Sequence, residues 1–503
     1  MTMNINRRNF MGTAAATGTF TIVPRNVLGG AGYVAPSDKV TVAHIGMGTQ
    51  GFNELGSLLA HPEIQIVSIC DPNRDGRDYV EWGKGSVRNR IRQIMGNPTW
   101  RENDNACPGG REVGKEVVDT YYAKQRGVDK FKACTTYADF RELLEKERDL
   151  DAVKIMTPDH LHATISLAAM KKGNHVVVHK PLANRLYEER LVIETARKTK
   201  LGTHFLPYGA GEGNRRISAR VKEGVIGTLR EVHNWSNRPV WPQYTEIPTE
   251  RPPIPPGFDW DLWLGPALDR PYHPNYTHTV FRGWFDFGGG SMADMGIYSL
   301  WPVFTEFNLG APLSAQAWAS HTCNIVDGVS RPVKNDFAYP HACKFHFKFA
   351  AAGGRPALEL FWYDGGMKPR LPEELEAADV ELPIEGILFV GDQGKIFAGF
   401  NGQNPQLFAR GKRENLFPPE TPPQGGRRTG GERENLWVPA FKGGPPSPGN
   451  FLNAAGISDA VALGTVALRA GKKILFDSEN MKITNVPEAN KYLVREYRKG
   501  WEL

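Results

Sequence analysis

Two rhythms of apolar and polar positions divide the chain. Between residues 40 and 206, short apolar runs alternate with stretches of helical spacing. The runs Val40–Ile45 and Ile64–Cys70 are short and mainly apolar, as strands buried in a parallel sheet are, and 152–156, 175–179 and 202–206 continue the series as strands. Residues 52–59, 136–144, 163–172 and 187–199 predict the intervening helices. A polar, glycine-rich insertion at about 74–132 interrupts the series, and only its 113–125 stretch reads as helical.

The second rhythm begins near residue 211. A helix at 215–223 precedes an alternating strand, Leu229–Trp235, and then a proline- and tryptophan-rich run reaches Pro274. Strands follow at 313–320, 342–350, Leu358–Tyr363, Gly386–Gly391 and 395–398, in a spacing that suits a mostly antiparallel sheet. Residues 402–450, rich in Gly, Pro and Arg, read as a surface excursion, 455–475 as a terminal helix and 482–485 as a last strand. The fold class is therefore α/β, with a dinucleotide-type domain over 38–207 and an α+β domain over 208–503. The aromatics Trp235, Trp241, Trp260, Trp263, Tyr272 and Tyr276 suit either a carbohydrate-facing surface or core packing.

The first chemical signal lies between the first two strands. Gly46, Gly48 and Gly51 form G-x-G-x-x-G directly after Val40–Ile45, and Asp71 ends the second strand about 20 residues on. Gly46 permits the turn, Gly48 leaves room for a pyrophosphate beside Met47 and Gln50, and Gly51 lets helix and strand pack. Asp71 is placed to accept ribose hydroxyls, and its charge opposes a 2′-phosphate, so NAD is expected over NADP despite nearby Arg74 and Arg77.

Composition narrows the classes. A net charge of +6 over 503 residues gives no nucleic-acid surface, and five scattered cysteines give neither a disulfide framework nor a zinc site. At the N-terminus, Arg7 and Arg8 precede a short, mildly apolar stretch, 12–23, as in a bacterial Tat export signal. That stretch is too short and glycine-rich for a stable membrane span, and a periplasmic location is expected, with the N-terminus cleaved or kept as an anchor.

The order of the remaining motifs carries a resemblance. Thr157-Pro158 with His162, then Lys180-Pro181, then Gly288-Gly289-Gly290-Ser291-Met292-Ala293-Asp294-Met295-Gly296-Ile297-Tyr298 resembles the Gfo/Idh/MocA oxidoreductases. The resemblance implies a Rossmann domain joined to an open-faced α/β domain, a homodimer or homotetramer, and oxidation or reduction of a hydroxyl on a sugar or polyol. It departs from the family pattern twice, with His179 where glutamate is usual and Tyr298 where histidine is usual.

Alcohol–carbonyl interconversion needs a group to take and return the hydroxyl proton. Lys180, after a strand end, is the expected acid/base, with Asp294 and Tyr298 positioning the hydroxyl; without the resemblance, Ser291-x-x-Asp294 reads first as a helix capping box, a role that can coexist with the other. Thr157, Pro158, His162, Lys180 and Pro181 are expected around the nucleotide, and His278, Arg282 and Trp284 around the substrate. No metal is expected. Relatives that hold NAD tightly and cleave glycosides by transient C3 oxidation imply a second activity, and a non-catalytic sugar-binding descendant is a third.

Overall fold

The computed structural model describes residues 35–205, 212–333, 335–418 and 435–503. The segment expected to direct export, and Leu206 at the end of the expected 202–206 strand, lie outside the described residues. Strands β1 (Val40–Ile45), β2 (Ile64–Cys70), β3 (Thr135–Tyr137), β4 (Ala152–Ile155), β5 (His175–Val178) and β6 (Thr203–Phe205) form a parallel sheet in the order β3-β2-β1-β4-β5-β6. The order reverses between β1 and β4, which opens a crevice beyond their carboxyl ends. Helices α1 (Thr49–Ala60), α2 (Ser86–Met95) and α3 (Arg111–Arg126) cover one face, and α4 (Phe140–Lys146), α5 (His162–Lys171) and α6 (Leu186–Thr199) the other.

Two expectations for this half change. Thr136 and Tyr137 belong to strand β3, and the helix after it starts at Phe140, because Asp139 caps it by accepting from the Arg141 amide at 2.8 Å. The insertion is also more than a loop. Val87, Ile91 and Met95 of α2 and Val113, Val117 and Val118 of α3 are buried against β1 and β2, so it is part of the core.

The second half is built on ten strands: β7 (Leu229–Trp235), β8 (Ser314–Ala319), β11 (Cys343–Phe349), β12 (Leu358–Tyr363), β13 (Gly386–Gly391), β14 (Gly394–Ala398), β15 (Gln406–Ala409), β16 (Lys412–Asn415), β17 (Ile474–Asp477) and β18 (Lys482–Ile483). A separate hairpin, β9 (Cys323–Val326) and β10 (Val329–Pro332), projects between β8 and β11 in the chain. The sheet order is β16-β15-β14-β13-β7-β12-β11-β8-β17-β18, and every pairing is antiparallel except β7 with β12. Helices α7 (Glu212–Lys222), α8 (Ile297–Glu306) and α9 (Ala455–Ala470) cover one face. Alternation along β11 turns Phe345, Phe347 and Phe349 under them and leaves Lys344, His346 and Lys348 on the open face.

The helix expected at 455–475 ends at Gly471 in a left-handed turn, and Ile474 begins β17. With the turn before it, Phe451–Ala470 is long and apolar enough to cross a membrane, yet 72% of that stretch is buried inside the protein, as a core helix is. The expected surface excursion at 402–450 is corrected: its start forms the β15–β16 hairpin. Its described end returns to the first domain, where Trp437 is fully buried, Phe441 stacks on His175 at 4.7 Å and Gly449 accepts from the Phe205 amide at 2.6 Å.

Candidate active site

The carboxyl ends of β1, β2, β4 and β5 open into a cleft of about 250 Å³ whose far wall comes from the second half of the chain. Gly46 has φ +100, and a Cβ there would lie 2.6 Å from the Met156 carbonyl carbon; a Cβ at Gly51 would lie 2.4 Å from the Gly46 oxygen. Glycine at these two positions lets α1 begin against the ends of β1 and β4. Gly48 caps α1 without a side-chain hydrogen bond, which leaves the first amides of the helix for an anion.

Asp71 is buried, and its carboxylate accepts from the Met47 amide at 2.7 Å and the Asn73 amide at 2.8 Å. Burial raises its pKa while these two amides oppose the rise. Its lone pairs left over suit ribose hydroxyls, and Arg77 is turned away onto Asp104 at 2.8 Å. Glycine turn, open helix start and carboxylate together fit a dinucleotide with an unphosphorylated ribose.

At the other end of the cleft, Lys180 is 3% exposed and pairs with Asp294. Asp294 also accepts from Arg238 Nε at 3.2 Å, and Arg282 Nε lies 3.1 Å from its other oxygen as an ion pair outside hydrogen-bonding alignment. Burial pushes its carboxyl up, but the three cations outweigh burial and hold it well below the usual carboxylate range. Burial lowers the Lys180 pKa and Asp294 opposes that shift. Asp294 lies in a single π-helical turn, Met292–Gly296, that runs into α8, an irregularity common at functional sites. The capping-box alternative is not realised: Ser291 is itself helical and makes no cap hydrogen bond, and Asp294 points at cations instead.

Tyr298, one turn on in α8, brings its hydroxyl 3.1 Å from His179 Nε2, with its ring centroid 5.3 Å from Lys180 Nζ. His179 Nε2 lies 3.5 Å from Glu54 Oε1, and Glu54 Oε2 lies 2.6 Å from Lys154 Nζ, outside hydrogen-bonding alignment. Burial lowers the His179 pKa to about 3, so it is neutral at ordinary pH. A polar file thus runs from the cleft into the first domain's interior through Tyr298, His179, Glu54 and Lys154. Both departures from the family pattern, His179 and Tyr298, touch each other in it.

The other expected residues divide. Gly46, Gly48, Gln50, Asp71, Thr157, Pro158, Lys180, His278, Arg282, Asp294 and Tyr298 line the cleft. Met47 and Gly51 support it from behind, Met47 being fully buried with its amide on Asp71. His162 does not face the cleft. Its ring nitrogens lie 2.6 Å from the Pro181 carbonyl and 2.9 Å from that of Thr157, so it ties the end of β4 to the turn after β5.

His278 is placed with the nucleotide end, not the substrate end: its ring lies tilted against that of Tyr79, centroids 3.9 Å apart, and Tyr79 lies against Gly48. Trp284 is corrected outright. It is 1% exposed, donates to the Asn275 carbonyl at 2.7 Å and stacks on Tyr244 at 4.4 Å, because an indole this large closes an aromatic core. Trp235, Trp241, Trp260, Trp263, Tyr272 and Tyr276 are buried too, so core packing accounts for the aromatic run, with Trp263 alone of them also reaching the cleft. The glycines 288–290 approach protein rather than ligand, Gly288 against the Arg282 backbone and Gly290 against the Tyr339 ring. Sequence reasoning missed Tyr79 and Trp82 from the insertion, and Arg238, Glu54 and Lys154. Among the described residues, no group of three or more His, Cys, Asp or Glu is arranged to hold a metal ion.

Comparison with known proteins agrees with this fold. Residues 98–204 match a family model described as an oxidoreductase family, NAD-binding Rossmann fold, and 219–344 match that family's C-terminal alpha/beta domain. The chain is 24% identical over 243 residues to a glycosyl hydrolase family 109 protein of Shewanella putrefaciens, covering 45% of this chain and 44% of that one. It is 32% identical over 109 residues to a levoglucosan dehydrogenase of Pseudarthrobacter phenanthrenivorans, covering 20% and 27%. The chain thus spans less than half the length of the curated relatives it matches. Among solved structures, a levoglucosan dehydrogenase complex with NADH and L-sorbose superposes with TM-score 0.51 at 15% identity, over 87% of this chain and 99% of that one. A Klebsiella pneumoniae NAD binding oxidoreductase does so with TM-score 0.50 at 14% identity, over 87% and 99%.

Proposed function

Because this chain belongs to the Gfo/Idh/MocA oxidoreductase family, we propose that it is an NAD-dependent oxidoreductase acting on a CH–OH group of a sugar or polyol. The observation that carries this reading is Lys180, paired with Asp294 in the same cleft as the Gly46–Gly51 turn and Asp71. NAD, when bound, supplies the hydride acceptor or donor. Asp294 orients Lys180, and Lys180 Nζ and the Tyr298 hydroxyl converge on one substrate oxygen. Lys180 takes that oxygen's proton in oxidation and returns it in reduction, and its lowered pKa makes the neutral amine easier to reach. His179, neutral beside Tyr298, keeps the phenol oriented.

The test is on protein purified without added cofactor: the nucleotide released on denaturation is identified, and NADH formation is followed with a sugar and polyol panel. Turnover with net NADH production supports the reading; failure to bind either nucleotide sinks it. A second reading, NAD-assisted glycoside cleavage by transient C3 oxidation, is favoured by the name of the Shewanella relative. It is distinguished by glycoside turnover that leaves bound NAD unchanged. The paired arginines Arg7 and Arg8 support export to the periplasm, and the open sheet face supports self-association as a dimer or tetramer.

A further inference from the structure

The substrate end of the cleft is built for a negative charge. Arg282 meets Asp294 as an ion pair through its Nε, at 3.1 Å but out of hydrogen-bonding alignment. Among the described residues, neither of its terminal nitrogens has a protein hydrogen-bond partner, although its side chain is only 12% exposed and lines the cleft. Arg238 stands on the other carboxylate oxygen of Asp294, at 3.2 Å, with its second terminal nitrogen likewise without a partner. Lys180 completes three cations around one carboxylate. The buried Asp159, which accepts from the Gly289 amide at 2.9 Å, acts on Lys180 from outside the cleft lining, and the file's Glu54 is matched by Lys154. Counting Asp159, this end holds a net positive charge while Lys180 is protonated, and its two arginines keep their charge when Lys180 gives up its proton. The other carboxylate lining the cleft, Asp71, sits at the ribose end.

We propose that the substrate is a sugar acid, a hexuronate or aldonate, whose carboxylate docks on the free fork of Arg282 with help from Arg238. A planar guanidinium edge meets a carboxylate with two parallel hydrogen bonds, a match a neutral hydroxyl does not make. Trp82, 49% exposed at the cleft lining and 5.9 Å from the Arg238 guanidinium, supplies an aromatic face for the ring carbons of the same molecule. This inference rests on the oxidoreductase reading for its chemistry and on the arginines for its selectivity.

The test separates the two. Binding of D-glucuronate, D-gluconate, D-glucose and D-glucose 6-phosphate to the full chain saturated with NADH is measured by calorimetry, alongside initial rates of NADH formation with NAD. The expected result is at least about tenfold tighter binding of one of the two sugar acids than of glucose, reduced by about tenfold or more in Arg282→Gln. Arg282→Lys is expected to recover only part of this, because a point charge lacks the fork. Selective binding without any turnover upholds the sugar-acid site and sinks the oxidoreductase reading. Equal binding of glucose, a preference for the phosphate, or unchanged selectivity in Arg282→Gln overturns the inference, and turnover of neutral sugars alone would then leave the oxidoreductase reading standing.

Discussion

Replacing Lys154 with methionine tests whether the buried file is held by its ion pair. Lys154 sits in the middle of β4 with no exposed surface, and among the described residues its anionic partner is Glu54, at 2.6 Å. Burial works to raise the Glu54 pKa, but Lys154 and His179 overcome it and bring the value from 4.5 to about 2. A shift of that size corresponds to roughly 3 kcal/mol favouring the carboxylate in the folded state. The sign follows from the depressed value: this stability is fully present above pH 4.5 and is lost as pH falls toward 2. Removing the ammonium strands a buried carboxylate, at a cost of about 3–5 kcal/mol. The paired replacement Lys154→Met with Glu54→Gln removes both charges, so it is expected to cost at least about 2 kcal/mol less than the sum of the two single changes. Urea unfolding of the four proteins at pH 7, followed by tryptophan fluorescence, gives the cycle. If the single effects add to within about 0.5 kcal/mol, the pair is not coupled and the argument is wrong.

The other predictions concern chemistry, backbone and pH. Lys180→Met should lower kcat by about 10²–10⁴-fold while NADH affinity, read by fluorescence, stays within about threefold; a kcat within tenfold of the parent would remove Lys180 from the acid/base role. Tyr298→Phe deletes the hydroxyl facing His179 and should lower kcat by up to about 10²-fold with little change in stability, so an unaltered kcat would make the tyrosine structural. Gly46→Ala forces a side chain onto a φ of +100 and against the Met156 carbonyl, costing about 1–3 kcal/mol and weakening NADH binding; a silent change would mean the turn is not built as described. Burial takes His44, His160, His179 and His204 from 6.5 to about 3, so the unfolded chain binds protons the folded one refuses. Stability should fall from pH 6.5 downward, by up to about 1.4 kcal/mol per pH unit for each histidine, and a flat urea midpoint between pH 7.5 and 5 would contradict this.

The nucleotide end of the cleft was legible because its chemistry is local. Gly46, Gly48, Gly51 and Asp71 sit at fixed spacing around one strand–helix–strand unit, and the structure places them as that spacing requires. Lys180, Asp294 and Tyr298 were legible only through their resemblance to a family, since they meet across 114 residues of chain. Arg238 stands in an irregular proline-rich run with no period, and nothing local points it at Asp294. Trp284 was misread because an aromatic next to a glycine run looks the same in sequence whether it faces ligand or core. One signal was present and unread: Lys154 interrupts a strand whose four residues are all buried. A charge there demands an opposite charge in the interior, and Glu54 supplies it from the buried side of α1.

The return of the chain at 435–451 bears on how this protein can be cut and recombined. The Phe205 amide on β6 is taken by Gly449, the Phe451 amide reaches Thr203 Oγ1 at 3.1 Å, and Trp437 fills the flank of the first domain. A fragment ending near residue 207 would therefore leave the outer strand of its sheet bare, with its amides open to any passing strand. Shortened expression clones and chimeras that exchange nucleotide domains between relatives would need to carry this distant stretch along with the first 207 residues. The unit that can be transplanted is discontinuous in the gene even though its cofactor motif is not.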